Sequence, residues 1–367
     1  MRRVDAIILG GTKGCPKLKI GDIEEHKQFL ELGGKTMIDH VIEAALGCPD
    51  VRNVYVVGDA ERLASHGAEV IVPDYGSLVG NIWNTFCSHV LPGAGYDAYD
   101  NRKGCSSYHK YFLENNPDAL DHEVVLLHSD APFMTPEDIS QFISETADSD
   151  VDYSIGLGEE RAFRMLEEEV GQELCMPETK SALLPLDNTY VRWNNMVRGK
   201  PLKVPPEAWS VLQGIYDKRY LLDNDGGEKK RNWTGIVRMF WDYVQLHSER
   251  RPTIVKGFLR GVTCFTALYM TYHTGSALPR LFLGKEDFEK AAYEISGKKL
   301  KGRLHISDVV HPGLDIDNAE MYLKLKADGE QLYHKLMESQ RQYLVSAEAP
   351  EKALERMVME RPELFWG

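Results

Sequence analysis

The sequence predicts an α/β fold: a Rossmann-like, three-layer α/β/α arrangement around a mainly parallel sheet, carrying a large helix-rich insertion. Three observations lead there. Short β-branched apolar runs alternate with amphipathic helical stretches over the first 155 residues. A glycine pair follows the first of those runs directly. After about residue 156 the spacing turns mostly helical. The chain therefore divides into an α/β domain at 1–155, an insertion at 156–300 and a C-terminal return to the first domain at 301–367.

Taken in order, Val4 to Leu9 is a short apolar run that ends in Gly10-Gly11, as a buried strand entering a loop does. Thr36 to Leu46 places Met37, Ile38, Val41, Ile42 and Ala45 on one helical stripe. Val51 to Val57 reads as a second strand, and Glu69 to Val72 as a third ended by Pro73. Leu78 to Val90 returns to helical spacing, and His122 to Leu127 is the next strand. Thr135 suits a helix N-cap, with Pro136 in the first turn and Glu137 and Asp138 at the positive helix end. In the insertion, Ala162–Val170, Glu207–Leu222, Gly235–Ser248 and Lys285–Ser296 have helical spacing, with a polar break at Asn224-Asp225-Gly226-Gly227. Lys301 to Ile306 is a further strand and Asn318 to Arg341 a long helix. Ligands of such sheets sit at the carboxyl ends of the strands, where the loops after Leu9 and Leu127 meet.

Bulk properties narrow the function classes. A net charge of −13 disfavours a nucleic-acid partner, which needs a basic face. The six cysteines are scattered without a C-x-x-C pair, so neither a zinc knuckle nor a disulfide framework is indicated. The apolar run near the N-terminus is too short for a signal-peptide core and contains Asp5. Gly261 to Tyr272 is shorter than the ~20 residues that a membrane span needs. A cytoplasmic protein without a membrane span is expected.

Three constellations carry chemistry. Leu9-Gly10-Gly11-Thr12-Lys13-Gly14, with Lys17, Lys19 and Lys27 beyond it, offers backbone N–H groups and ammonium charges to phosphate. It matches neither the P-loop nor the G-x-G-x-x-G spacing, and a flexible loop with a solvated basic flank fits it as well. Asp130, in His128-Ser129-Asp130-Ala131-Pro132-Phe133, falls just after a buried strand, where a carboxylate can hold a divalent cation; a turn aspartate fits too. Asp315-Ile316-Asp317 puts two acids on one side of an extended segment ahead of a helix, for metal binding or for capping.

Together these motifs resemble the GT-A-like nucleotidyltransferase superfamily, which includes molybdenum-cofactor guanylyl- and cytidylyltransferases and sugar-phosphate nucleotidyltransferases. The resemblance rests on Ala6 to Gly11 followed by Lys27 to Val41, on Ser129 to Asp138, and on Asp315 to Glu320. It implies that Leu9, Gly10, Gly11, Thr12, Lys13 and Lys17 surround a nucleoside triphosphate. It implies that Lys27 contacts phosphate near the reacting centre, and that Gly80 and Asn81 lie by the base and ribose. Asp130 and Asp317, with Asp315 as a third acid, would hold Mg²⁺ or Mn²⁺. The implied reaction moves a nucleoside monophosphate to a small, phosphorylated or hydroxylated acceptor and releases pyrophosphate. One departure is that Thr12 to Lys17 lacks the arginine which the superfamily often places after its glycine loop; Lys13 or Lys17 would have to stand in without its bidentate fork. Two alternatives stand beside this reading: a GT-A glycosyltransferase using a nucleotide sugar, and a non-catalytic nucleotide-binding homologue.

Overall fold

The computed structural model describes residues 3–12, 17–64, 66–67, 70–96, 105–147, 150–171, 184–186, 189–205, 208–209, 212–214, 245, 249, 251–274, 284–296, 299–308, 310–314, 316, 319–327 and 329–339. The strands are β1 (Val4–Leu9), β2 (Leu18–Ile20), β3 (Ile23–Glu25), β4 (Glu31–Leu32), β5 (Lys35–Thr36), β6 (Val51–Gly58), β7 (Val70–Pro73), β8 (Val124–His128), β9 (Tyr153–Glu159), β10 (Leu184–Leu186), β11 (Thr189–Gly199) and β12 (Gly302–Ser307). The main sheet runs β12-β9-β11-β8-β1-β6-β7, with β10 on β11. The pairs β8–β1, β1–β6, β6–β7 and β12–β9 are parallel, and β11 is antiparallel to its neighbours.

Alternation along β1 builds the layers. Ala6 and Ile8 point into one core, with Ile38, Val41 and Ile42 of the Met37–Gly47 helix and Ile139, Phe142 and Ile143 of the Pro136–Glu145 helix. Ile7 points to the other face, against Ile82, Trp83, Phe86 and Phe112. Both helices of the first face begin with a capping box, Thr36 with Asp39 and Thr135 with Asp138, a device worth about 1 kcal/mol for each cap. The expected three-layer arrangement is present.

The middle of the chain departs from the expected change of character at residue 156. β9 crosses that position and β11 follows it, so the central sheet continues through residue 199. The helix over Glu160–Val170 and that over Lys285–Ile295 stand where expected, and an unanticipated helix spans Arg251–Thr274. The expected helices over 207–222 and 235–248 lie mostly outside the described residues. Near the C-terminus, residues 319–327 and 329–339 are helical, with left-handed backbone at Gly329 and Glu330 (φ 66° and 64°) in place of one uninterrupted helix. These segments join Leu30, Leu32, Met37 and Phe133 in a third core, which brings the C-terminal part back onto the first residues. Among the described residues, no helix is long and apolar enough to cross a membrane.

Candidate active site

The turn after β1 is glycine for steric reasons. A Cβ on Gly10 would stand 2.7 Å from Ile38 Cδ1 and 2.9 Å from the Val57 carbonyl; one on Gly11 would stand 2.5 Å from Asn81 Nδ2. The chain is tied down from several sides. Gly10 N donates to Val57 O (2.9 Å), Gln28 Nε2 donates to Gly10 O (3.2 Å), and Ser129 Oγ donates to Leu9 O (2.9 Å). Thr12 N donates to Asp74 Oδ2 at 2.8 Å. The amides of Gly10 and Thr12 therefore already have protein acceptors, and a phosphate at Thr12 would have to displace Asp74.

Asp74 organises the neighbouring turn as well. It follows β7 directly, and its Oδ1 accepts from Gly76 N (2.8 Å) and Asn81 Nδ2 (3.2 Å). Asn81 in turn accepts from Tyr75 N at 2.7 Å, and Gly80 N donates to the N-cap hydroxyl of Ser77 at 3.0 Å. Asn81 thus stands beside Gly11 with Gly80 next to it in the chain, and Asp74 links the loop after β7 to the turn through Thr12 N. Sequence reading missed Asp74, which lies just past a strand as Asp130 does but follows a proline and has its partner, Thr12, 62 positions away.

Lys27 opens a 3₁₀ turn, Lys27–Phe29, and its ammonium meets Asp130 Oδ2. The three residues of that turn divide the labour. Gln28 anchors on Gly10, Phe29 is buried in the core, and Lys27 reaches across to the carboxyl end of β8. Beside the turn, burial pushes the His26 imidazole down; Glu25 opposes this, while the charges of Lys17 and Arg62 add to it. Lys17 is exposed at the near end of the loop, and Lys13 lies outside the described residues.

Of the third motif, the described Ile316 reaches this edge. Asp315 and Asp317 lie outside the described residues, but Ile316 between them is buried, and its N–H donates to Asp130 O at 3.4 Å. The turn before it is held by β11. Where β11 bulges, Asn195 adopts left-handed backbone (φ 55°) and donates from Nδ2 to Pro312 O at 2.8 Å. Next to it, burial pushes His311 down to about 4, so that ring is neutral at physiological pH. Among the described residues, no three His, Cys, Asp or Glu side chains cluster as a metal site.

Residues 6–218 match the family described as the MobA-like NTP transferase domain. No curated protein sequence matches the chain. Solved structures to which it is similar include a hypothetical transferase from Thermus thermophilus, at 20% identity and a TM-score of 0.49, covering 87% of this chain and 98% of that one. Another is a cytidylyltransferase from Leptospira borgpetersenii, at 11% identity and a TM-score of 0.38, covering 94% and 96%. A third is a CMP:2-keto-3-deoxy-manno-octonic acid synthetase complexed with CTP, at 14% identity and a TM-score of 0.31, covering 57% and 83%.

Proposed function

We propose that this chain, which belongs to the MobA-like NTP transferase family, moves a nucleoside monophosphate from a nucleoside triphosphate onto a small phosphorylated or hydroxylated acceptor, with Mg²⁺ or Mn²⁺ and with release of pyrophosphate. The observation that carries this reading is the meeting of Lys27 with Asp130 at the carboxyl edge of β1 and β8. One flexible cation and one carboxylate there flank a glycine turn that side chains are too large to enter.

In-line attack by an acceptor oxygen forms a bond to the α-phosphorus as the bond to the pyrophosphate oxygen breaks. Such transfer needs positioning and charge neutralisation more than covalent help. The Lys27 ammonium would leave Asp130 for the phosphate oxygens, and the Asp130 carboxylate would then face the cation. Asp130 fits that role, because it already holds a positive charge, and Mg²⁺ usually takes one or two carboxylates besides substrate phosphates. Asp317 and Asp315 would complete the acid set, as the family resemblance implies. When bound, the cation supplies neutralisation of the charge on the transferring phosphate. The Gly11 amide and the loop up to Lys17, including Lys13, would line the triphosphate, with Gly80 and Asn81 on the nucleoside side.

A thermal-shift series with ATP, CTP, GTP, UTP and nucleotide sugars, each with and without MgCl₂, tests the reading. At least one triphosphate should stabilise the chain in a Mg²⁺-dependent way. Stabilisation by nucleotide sugars alone would instead support glycosyl transfer. A triphosphate response without pyrophosphate release would leave a non-catalytic nucleotide-binding homologue, and no response to any nucleotide would overturn the reading.

A further inference from the structure

We infer that Arg62, on the short helix after β6, is a positioning residue that aims Lys27 at the triphosphate by clamping the turn which carries it. The inference rests on the nucleotide-binding reading above.

The clamp has two jaws. The Arg62 guanidinium lies 3.6 Å from the centroid of the Phe29 ring, within cation–π range. Its Nη1 and Nη2 also donate to Glu25 Oε1 (3.0 Å) and Oε2 (2.9 Å), a bidentate fork. Glu25 Oε1 accepts in turn from His26 N at 2.7 Å. Arg62 therefore grips the chain on both sides of Lys27: through Glu25 and the His26 amide before it, and through Phe29 after it. Between these grips, Gln28 ties the turn to the glycine backbone.

Lysine is a long, rotatable point charge, and its reach is set by where its Cα stands. A turn of three residues between a two-stranded hairpin and β4 has few internal hydrogen bonds to define that position. The planar arginine supplies the definition from a different element. Only arginine can stack on a ring and fork onto a carboxylate at once; lysine at position 62 would keep the charge and lose the geometry.

The test is a double-mutant cycle. Isothermal titration of ATP, CTP, GTP and UTP with MgCl₂ is run on the wild-type chain, Arg62→Lys, Lys27→Met and the double variant, with melting temperatures measured in parallel. Arg62→Lys should weaken the preferred triphosphate by about tenfold or more, the scale of a misplaced binding group. In the Lys27→Met background, the same change should have little further effect, although any change in melting temperature would persist. Glu25→Gln, which keeps the shape but weakens the fork, should repeat this pattern in milder form. Equal effects of Arg62→Lys in both backgrounds would overturn the inference, and so would unchanged affinity in Arg62→Lys. If the wild-type chain binds no triphosphate, the nucleotide reading fails and the inference falls with it.

Discussion

The two ends of the β1–β8 pair each hold an aspartate against a cation, and the two sites are built in opposite ways. At the amino end, Asp5 is fully buried and accepts from Arg52 Nε (3.1 Å), Arg52 Nη2, Asn53 Nδ2 (2.9 Å) and His122 Nε2 (2.8 Å). At the carboxyl end, Asp130 is buried too, and among the described residues its carboxylate meets the tip of Lys27, a side chain no more exposed than Arg52. Arg52 and Asn53 come from β6 and His122 from the residues just before β8, so the donors of Asp5 sit on rigid neighbours of β1. Lys27 reaches its partner on a flexible stem. An acid whose lone pairs are filled by fixed donors can only support the fold. An acid whose partner among the described residues is one long-stemmed ammonium can exchange it, as a metal and phosphate site requires.

Substitution of each acid by its amide should separate the two roles most sharply. Asp130→Asn should lower Mg²⁺-dependent pyrophosphate release on the order of 10³-fold. Its unfolding free energy should fall by no more than about 1–2 kcal/mol, since Asp130 is buried but the partly exposed Lys27 can turn its ammonium to solvent. Asp5→Asn should do the reverse and destabilise the fold by about 2–3 kcal/mol, because the amide presents its own N–H groups to donors that the buried carboxylate accepts from. Activity per folded molecule should hardly change. Denaturant titrations beside a pyrophosphate assay would read both, and matching stability losses in the two variants would erase the distinction.

What sequence reading could see follows the same division. The strand-helix alternation, the Thr135 cap and the glycine turn were legible because their causes are local: apolar period, cap chemistry and a glycine pair after a strand. β11 was hidden because polar residues share its buried positions with apolar ones. Arg192, Asn194 and Arg198 are buried beside Val191 and Met196, and Trp193 is exposed. The Arg198 ion pair with Glu123 and its bond to Ile143 O at 2.8 Å interrupt the apolar alternation that marks a strand. Asp74 and Arg62 were missed for another reason. Their partners Thr12, Glu25 and Phe29 lie far away in sequence, and an acid after proline or an arginine on a short helix looks like ordinary surface.

A smaller effect should appear on removing the mobile cation. Lys27→Met leaves the Asp130 carboxylate without the ammonium that now meets it, so a free divalent ion should bind the nucleotide-free protein more tightly, by about tenfold. The same variant should bind Mg²⁺-triphosphate more weakly. Mn²⁺ titration followed by electron paramagnetic resonance, with and without nucleotide, measures both. Weaker Mn²⁺ binding in the nucleotide-free variant would mean that Lys27 does not compete for the carboxylate.

The mildest separation is in pH. Burial alone raises the pKa of Asp5, but the hydrogen bonds from His122 and Arg52, the Arg52 charge and the Asn53 hydrogen bond together outweigh it and hold the carboxyl below the ordinary 3.8. The folded chain therefore binds fewer protons at this group than the unfolded chain does between its native pKa and 3.8. Its contribution is fully present above the unfolded value and is lost as pH falls through the native one. Asp5→Asn cannot titrate, so the stability gap between wild type and this variant isolates the group from the other carboxylates. That gap should be constant above about pH 5 and should narrow below the ordinary carboxylate range, by at most about 1.4 kcal/mol per pH unit for one proton. Chemical denaturation of the two proteins from neutral pH down to the acid limit of folding would show it. A gap that widened on acidification would mean that burial outweighs the fixed donors, and Asp5 would then belong with the exchangeable acids of the other edge.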